Sequence, residues 1–389
     1  MIDLLAISHA CSLAVNRAIY RELLRTGWKL ELIIPKRLKI GKISHEAELQ
    51  SPGDPPLHFL NLIASHPRFF TYAGLTTTLD QLRPKIILLE NSPASFLTAQ
   101  LGYWTRWRHS KLICLSCDNL LPNPLQELTR GRLKVSLSGF ANYILSNLSR
   151  PHIDHIFVLS SDGIRVMKGL GHTHVSQIPL GYDPSLFFPN EKLRKETRRR
   201  LGLTETTVSY IGRLTYQKGV HILIEGLAQI KDLPWQLLLD RFNTYQNPYG
   251  ERLQKLIAEK ELTSRVVYFD AKHEEIPAFM NAADIVVAPS ISMPNWKEQY
   301  GRVVPEAMAC GKLVIASDCG ALPELVGDAG LIFPEGNSEK LAEILRKAMM
   351  SQEMRQKIGT LAEQRATSRF SITTQRELMN QVLSKFSNS

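Results

Sequence analysis

Glu298 and Glu306 are separated by seven residues in EQYGRVVPEAMACG, with Gly301 between them and Pro305 directly before the second. A carboxylate can accept several hydroxyl donors at once. The pair therefore suits a ligand with two diol-bearing parts, Glu298 holding a sugar and Glu306 a ribose. Proline is at home in the first turn of a helix, where its missing N–H would have had no partner. The loop ahead of Pro305 would then aim free backbone N–H groups, and the positive end of the helix, at an anion such as a diphosphate. A second set lies upstream in SYIGRLTYQKG, where Arg213 and Lys218 stand five residues apart across a turn and Gly212 leaves room for close backbone approach. An arginine fork and a lysine point charge match a diphosphate, most of all when it becomes a leaving group. Taken singly, charges at these spacings are commonly just solvated, so their setting has to decide.

Both sets need a strand to end just before them and a helix to start just after, and the chain supplies such units throughout. In the first half DLLAIS, LELIIP, KIILLE, KLICLS and HIFVLS are apolar on both faces, as strands of a covered parallel sheet should be. AVNRAIYRELLRTG, after the first of them, has helical period and a terminal glycine. TTVSYIG, WQLLLD, RVVYFD, DIVVAP and KLVIAS repeat the pattern in the second half. This alternation predicts an α/β chain of two similar modules, and 389 residues exceed what one core usually organises. Prolines and a charged helix interrupt the pattern at IPLGYDPSLFFPNEKLRKETRRRLGL. The expected division is 1–190, 191–367, and a polar helix over 368–389 with no strand after it.

A chain with 44% hydrophobic and 22% charged residues has an ordinary globular composition. No apolar run approaches the ~20 residues of a membrane-spanning helix. MIDLLAISHA has neither a basic stretch nor a long apolar run, and it reads as a first strand rather than a signal peptide. The five cysteines are odd in number and scattered, which argues against a disulfide scaffold and for the cytoplasm. Cys114 and Cys117 form a C-x-x-C within KLICLSCDN, where strand packing is expected rather than redox or metal chemistry. The net charge of +10 calls for nucleic acid, anionic lipid or an anionic substrate as partner.

The run E-x7-E followed by EAMACGKLVIASDCGALPELV closely resembles family 4 of the retaining glycosyltransferases, and so do G-R-x-x-x-x-K-G from Gly212 and the segment IPLGYDPSLFFP. That family has the GT-B fold, two Rossmann-like doubly wound domains facing a central cleft. The resemblance implies an N-terminal acceptor-binding domain, a C-terminal donor-binding domain, and a last helix crossing back to the first. It implies transfer of a hexose, glucose-like, from a UDP-sugar to a saccharide hydroxyl, with front-face departure and attack. Arg213, Lys218 and Glu298 would be the catalytic residues. Gly212, Phe269, Lys272, Tyr300, Gly301, Arg302, Val303 and Glu306 would join them in binding the donor, backbone groups from Phe269 to His273 reading the base. The chain contains no Asp-x-Asp of the kind that holds a metal in GT-A transferases, and His152, His155, His172 and His174 lack matching cysteine pairs for zinc. No metal and no cofactor are expected, and the protein's cations would do the metal's work.

Two departures from the family stand out. LLLDRFNTYQNPYG replaces a glycine-rich turn, with Asp240 and Arg241 where small residues are usual. A histidine common near the reacting sugar is missing around Cys117, Asp118 and Asn119; LLENSPASFLTAQ and LSCDNLLPNP resemble a subgroup with an acid–Pro segment and a polar–Asn pair there instead. Ser8, His9, Glu90, Asp118 and Asn119 follow or end N-terminal strands, where ligands of open α/β sheets bind. They are either acceptor-side groups or strand-end caps. Trp104 and Trp107 stand among Arg106, Arg108 and Lys111, and Arg130, Arg132 and Lys134 precede the apolar SLSGFANYILSNL. These residues are either core and solvated surface or a contact with anionic membrane, which would make the acceptor a lipid-linked saccharide of envelope or exopolysaccharide synthesis, reached from the cytoplasm. The alternatives are a soluble small-molecule or sugar-phosphate acceptor, or a nucleotide-binding protein without catalysis. A phosphorylase would need a lysine-bound pyridoxal phosphate and a longer scaffold. A dinucleotide oxidoreductase would need a third glycine beyond Gly169 and Gly171, and nucleic acid finds no aromatic-rich or helix-turn-helix signature.

Overall fold

The computed structural model describes residues 2–40, 43–64, 68–120, 129, 133–241 and 248–387. The chain divides into one unit of Met1–Gly181 with Ile372–Ser389 and a second of Tyr182–Ser371.

The first unit is built on a seven-stranded parallel sheet, ordered Val175–Gln177, His155–Val158, Lys111–Ser116, Ile86–Glu90, Leu4–Ile7, Leu30–Pro35, Leu57–Leu60. The central strands are buried along their length because Leu, Ile and Val occupy both faces. The two outermost strands, LHFL and VSQ, are short and half-exposed, so they lack the apolar run that marks the others. The helix Ile372–Ser387 belongs to this unit: Met379 and Leu383 are buried, Trp28 Nε1 donates to Asn380 Oδ1 at 2.9 Å, and Arg376 meets Glu22 at 3.3 Å.

The second unit carries a six-stranded parallel sheet, ordered Val266–Phe269, Trp235–Asp240, Thr206–Tyr210, Ile285–Ala288, Leu313–Ser317, Leu331–Phe333. In chain order this is 3-2-1-4-5-6, the doubly wound order of dinucleotide folds. The order in which successive strands are added reverses between the parallel neighbours Thr206–Tyr210 and Ile285–Ala288. The loops after those two strands diverge there, and such a gap is where ligands of this architecture bind. The first sheet has the corresponding gap between Leu4–Ile7 and Ile86–Glu90.

Candidate functional site

The gap of the second sheet gathers most of the donor-side residues. The loop after Thr206–Tyr210 carries Gly212, Arg213 and Lys218; the loop after Ile285–Ala288 carries Ser290 and Glu298. The two loops are stitched together. Ile291 N–H donates to the Gln217 carbonyl at 2.9 Å. Gly219, at φ +67°, lies so close to the Pro289 carbonyl that a Cβ would stand 1.8 Å from its oxygen. Only glycine satisfies both the left-handed backbone and that approach. Gly320 serves the same end on the far side of Glu298, whose carbonyl a Cβ there would meet at 2.1 Å.

With the loops thus fixed, Lys218 Nζ donates to Glu298 Oε2 at 2.5 Å, and Ser290 Oγ donates to the same oxygen at 2.8 Å. The lysine also lies 5.4 Å from the Trp296 ring centroid. The sequence assigns these two residues to different parts of a ligand; in the structure they hold one another. Arg213 differs: it is exposed, and its guanidinium has no hydrogen bond or ion pair among the described residues. Its backbone is anchored instead, its carbonyl accepting from the buried Tyr210 hydroxyl at 2.7 Å.

Because both partners of the Lys218–Glu298 pair are mostly buried, truncating one strands the other. Lys218→Ala should destabilise the protein by about 3 kcal/mol, as breaking a buried pair does. Lys218→Ala combined with Glu298→Gln should cost clearly less than the sum. Urea unfolding of the cycle checks it, and additive losses would mean that the pair is not coupled.

Glu306 sits in the helix Val303–Ala309, whose first turn contains Pro305. It is buried, and burial pushes its carboxyl up to about 7 against the pull of Arg302, whose Nε lies 3.8 Å from Oε1. A carboxyl so poised gains from hydroxyl donors that favour its charged form. Gly301, at φ +82°, packs against Leu322, and Tyr300 is buried.

Other assignments stand further apart. Phe269 buries its ring against Phe279, stacked at 4.0 Å, so only its backbone is available, and its carbonyl already accepts from Arg241 N–H at 2.8 Å. Lys272 begins a short helical turn, its N–H donating to Glu275 Oε2 at 2.9 Å. His273 lies edge-on to Phe187, and burial lowers its imidazole. Asp240, in place of the family's glycine-rich turn, is buried and accepts from Gly212 N–H at 3.3 Å.

The gap of the first sheet brings Ser8, His9 and Glu90 together. Ser8 Oγ donates to Glu90 Oε2 at 2.5 Å, and the Tyr20 hydroxyl donates to Oε1. Burial lowers the His9 imidazole while Glu90 opposes the shift. The loop behind Ser8 is held by the buried Arg17, which pairs with Asp54 at 2.8 Å and donates to the carbonyls of Cys11, Glu48 and Leu49. Asp118 forms a separate cluster, accepting from Ser92 at 2.5 Å and Ser116 at 3.1 Å, with Asn119 buried beside it. Cys114 is buried in its strand and Cys117 is exposed, both as free thiols. Trp104 is half-buried against the core, with Nε1 donating to Asp80 at 3.2 Å, whereas Trp107 is exposed. Arg130, Arg132 and the side chain of Lys134 lie outside the described residues.

Sequence reasoning passed over Ser290, Trp296, Gly320 and Arg17. Ser290 had a signal, since it directly follows the predicted strand DIVVAP. The others depend on contacts between loops distant in the chain.

Residues 193–365 match the family model of glycosyl transferases group 1. A D-inositol 3-phosphate glycosyltransferase of Corynebacterium jeikeium is 33% identical over 201 residues, 49% of this chain and 46% of the relative. The chain spans just under half the length of the curated relatives it matches first. Among solved structures, sucrose-phosphate synthase from Thermosynechococcus elongatus superposes with a TM-score of 0.77 at 20% identity, covering 100% of both chains. Anabaena HepE in complex with UDP and glucose superposes with a TM-score of 0.73 at 20% identity, over 99% of this chain and 100% of that one. The fold is thus GT-B, and the match to glycosyl transferases group 1 lies in residues 193–365.

Proposed function

We propose that the chain is a family 4, retaining hexosyltransferase that moves a glucose-like hexose from a UDP-sugar to a saccharide hydroxyl. The observation that carries this reading is the convergence of Lys218, Ser290 and Glu298 at the gap of a dinucleotide-type sheet, with Arg213 on the same loop as Lys218 and the buried carboxyl of Glu306 in the helix beyond. In this reading Arg213 and Lys218 meet the β-phosphate and stabilise the charge that develops as it leaves. Glu298 orients the hexose, and Glu306 receives the two ribose hydroxyls. Lys218 must then share its charge between Glu298 and the phosphate, which couples sugar position to leaving-group stabilisation. Departure and attack occur on one face through an oxocarbenium-like state. UDP, NAD and RNA tested by ligand-detected binding should rank UDP first; binding of NAD or RNA in its place would overturn the reading.

The positive groups at the phosphate side are the protein's own, so activity should persist in EDTA. Complete loss, restored by manganese, would show the phosphate site to be misread.

For the acceptor we favour a lipid-linked saccharide of envelope or exopolysaccharide synthesis, met at the cytoplasmic face of a membrane. Among the described residues no helix is long and apolar enough to cross a membrane. A soluble sugar phosphate is the second reading, favoured by the names of an inositol 3-phosphate glycosyltransferase and a sucrose-phosphate synthase among the similar proteins. Glu90 and Asp118 weigh toward an uncharged hydroxyl, because carboxylates accept hydroxyls and repel phosphate. Transfer assays with both acceptor types decide between them.

A further inference from the structure

Lys218 has two neighbours of different kinds. Its ammonium carries three N–H groups; Glu298 Oε2 takes one at 2.5 Å, and the Trp296 ring centroid lies 5.4 Å from Nζ. Among the described residues no other hydrogen bond or ion pair reaches that nitrogen. The lysine side chain is 19% exposed, that of Glu298 8%, and Trp296 is half-buried, so salt and water screen these contacts little. A carboxylate and an aromatic face act differently on a cation. The carboxylate offsets its charge and occupies a donor, whereas the ring attracts through its quadrupole and does neither. Glu298 alone would draw the ammonium in and keep it.

Ring and lysine are set by one stretch of backbone. Ile291 N–H donates to the carbonyl of Gln217, the residue before Lys218, at 2.9 Å. From there the chain turns back over Met293-Pro294-Asn295-Trp296, closed by Met293 N–H on the Trp296 carbonyl at 2.7 Å and by Trp296 N–H on the Met293 carbonyl at 3.1 Å. Proline in the second place of such a turn already has the φ it requires. Glu298 follows two residues on, its N–H donating to the Cys319 sulfur at 3.5 Å and its carbonyl accepting from Ala321 N–H at 3.0 Å. The indole is thus carried on backbone fixed at both ends. We propose that Trp296 is a positioning residue for the transfer, its face holding the Lys218 ammonium where Glu298 and the departing phosphate share it, without offsetting its charge. Its chemical purpose rests on the donor-site reading; the contact between ring and lysine does not.

Trp296→Leu keeps an apolar side chain and removes the ring. It should lower kcat for the best UDP-hexose about tenfold, the order of a desolvated cation–π contact, and leave uridine binding unchanged, since uridine has no phosphate for Lys218 to meet. Trp296→Phe should recover most of the rate because it restores an aromatic face. In a Lys218→Ala background Trp296→Leu should cost no more than roughly twofold further, since a residue that acts through the lysine then has nothing to act on. UDP release on the four variants and the parent, with calorimetry for uridine, reads all of this. Equal losses in Trp296→Leu and Trp296→Phe would mean that bulk and not the aromatic face matters. Losses that multiply across the two backgrounds would mean that the ring acts elsewhere, and weakened uridine in Trp296→Leu would make its role structural. Any of these three overturns the inference and leaves the donor site standing. Near-normal turnover in Lys218→Ala overturns the leaving-group reading and the inference with it.

Discussion

Arg213→Ala should lower kcat/KM for the best UDP-sugar by ~3 kcal/mol or more, roughly a hundredfold or beyond, as loss of an oxyanion donor does. Stability should be unchanged, because the exposed guanidinium holds nothing else among the described residues. Lys218→Ala should cost catalysis as heavily, and stability as well, because it abandons Glu298. The two variants thus separate a residue reserved for the ligand from one shared with the fold. Steady-state rates and urea midpoints on both check this. Near-normal turnover in either would remove that residue from leaving-group stabilisation.

Glu306→Gln should weaken UDP and uridine at least tenfold while making the unliganded protein more stable at neutral and higher pH. Both effects have one cause. A carboxyl held near 7 in the fold and near 4.5 as a free side chain keeps its proton longer when folded. Stability therefore falls as pH rises from about 4.5 to about 7, and the full penalty, about 3 kcal/mol, persists above. Glutamine has no such slope, so the variants should differ most above pH 7 and converge below about 4.5. Ribose hydroxyls need the ionised acid, so uridine affinity in the parent should rise with pH toward 7; uridine avoids the titrating phosphate. Glu298→Ala, by contrast, should leave UDP nearly untouched and damage use of the intact donor. Calorimetry on both variants separates the roles, and equal loss of UDP affinity would dissolve the division.

The sheets could be read from the sequence because buried parallel strands write themselves as unbroken Leu, Ile and Val runs, LELIIP and KLVIAS among them. The edge strands could not, since LHFL and VSQ are covered on too little of their surface to need such runs. Arg213, Lys218, Glu298 and Glu306 stood out by type and spacing around a predicted strand end. The ion pair between Lys218 and Glu298 did not, because it depends on Gly219 meeting Pro289 and Gly320 meeting Glu298 across turns far apart in the chain. Phe269 shows the opposite limit: a place in a family pattern says nothing of where a ring points, and this one fills the core. The outward apolar face of Leu133–Ser149 was readable only as an apolar segment, since periodicity does not say which side the protein covers.

Release of UDP from a panel of UDP-hexoses, in EDTA and without acceptor, tests the assigned donor site most directly, because slow transfer to water reports the donor alone. At least one UDP-hexose, with a glucose-like sugar, should be hydrolysed by the parent and spared by Arg213→Ala. If every UDP-hexose stays intact and UDP itself does not bind, the donor site is misassigned.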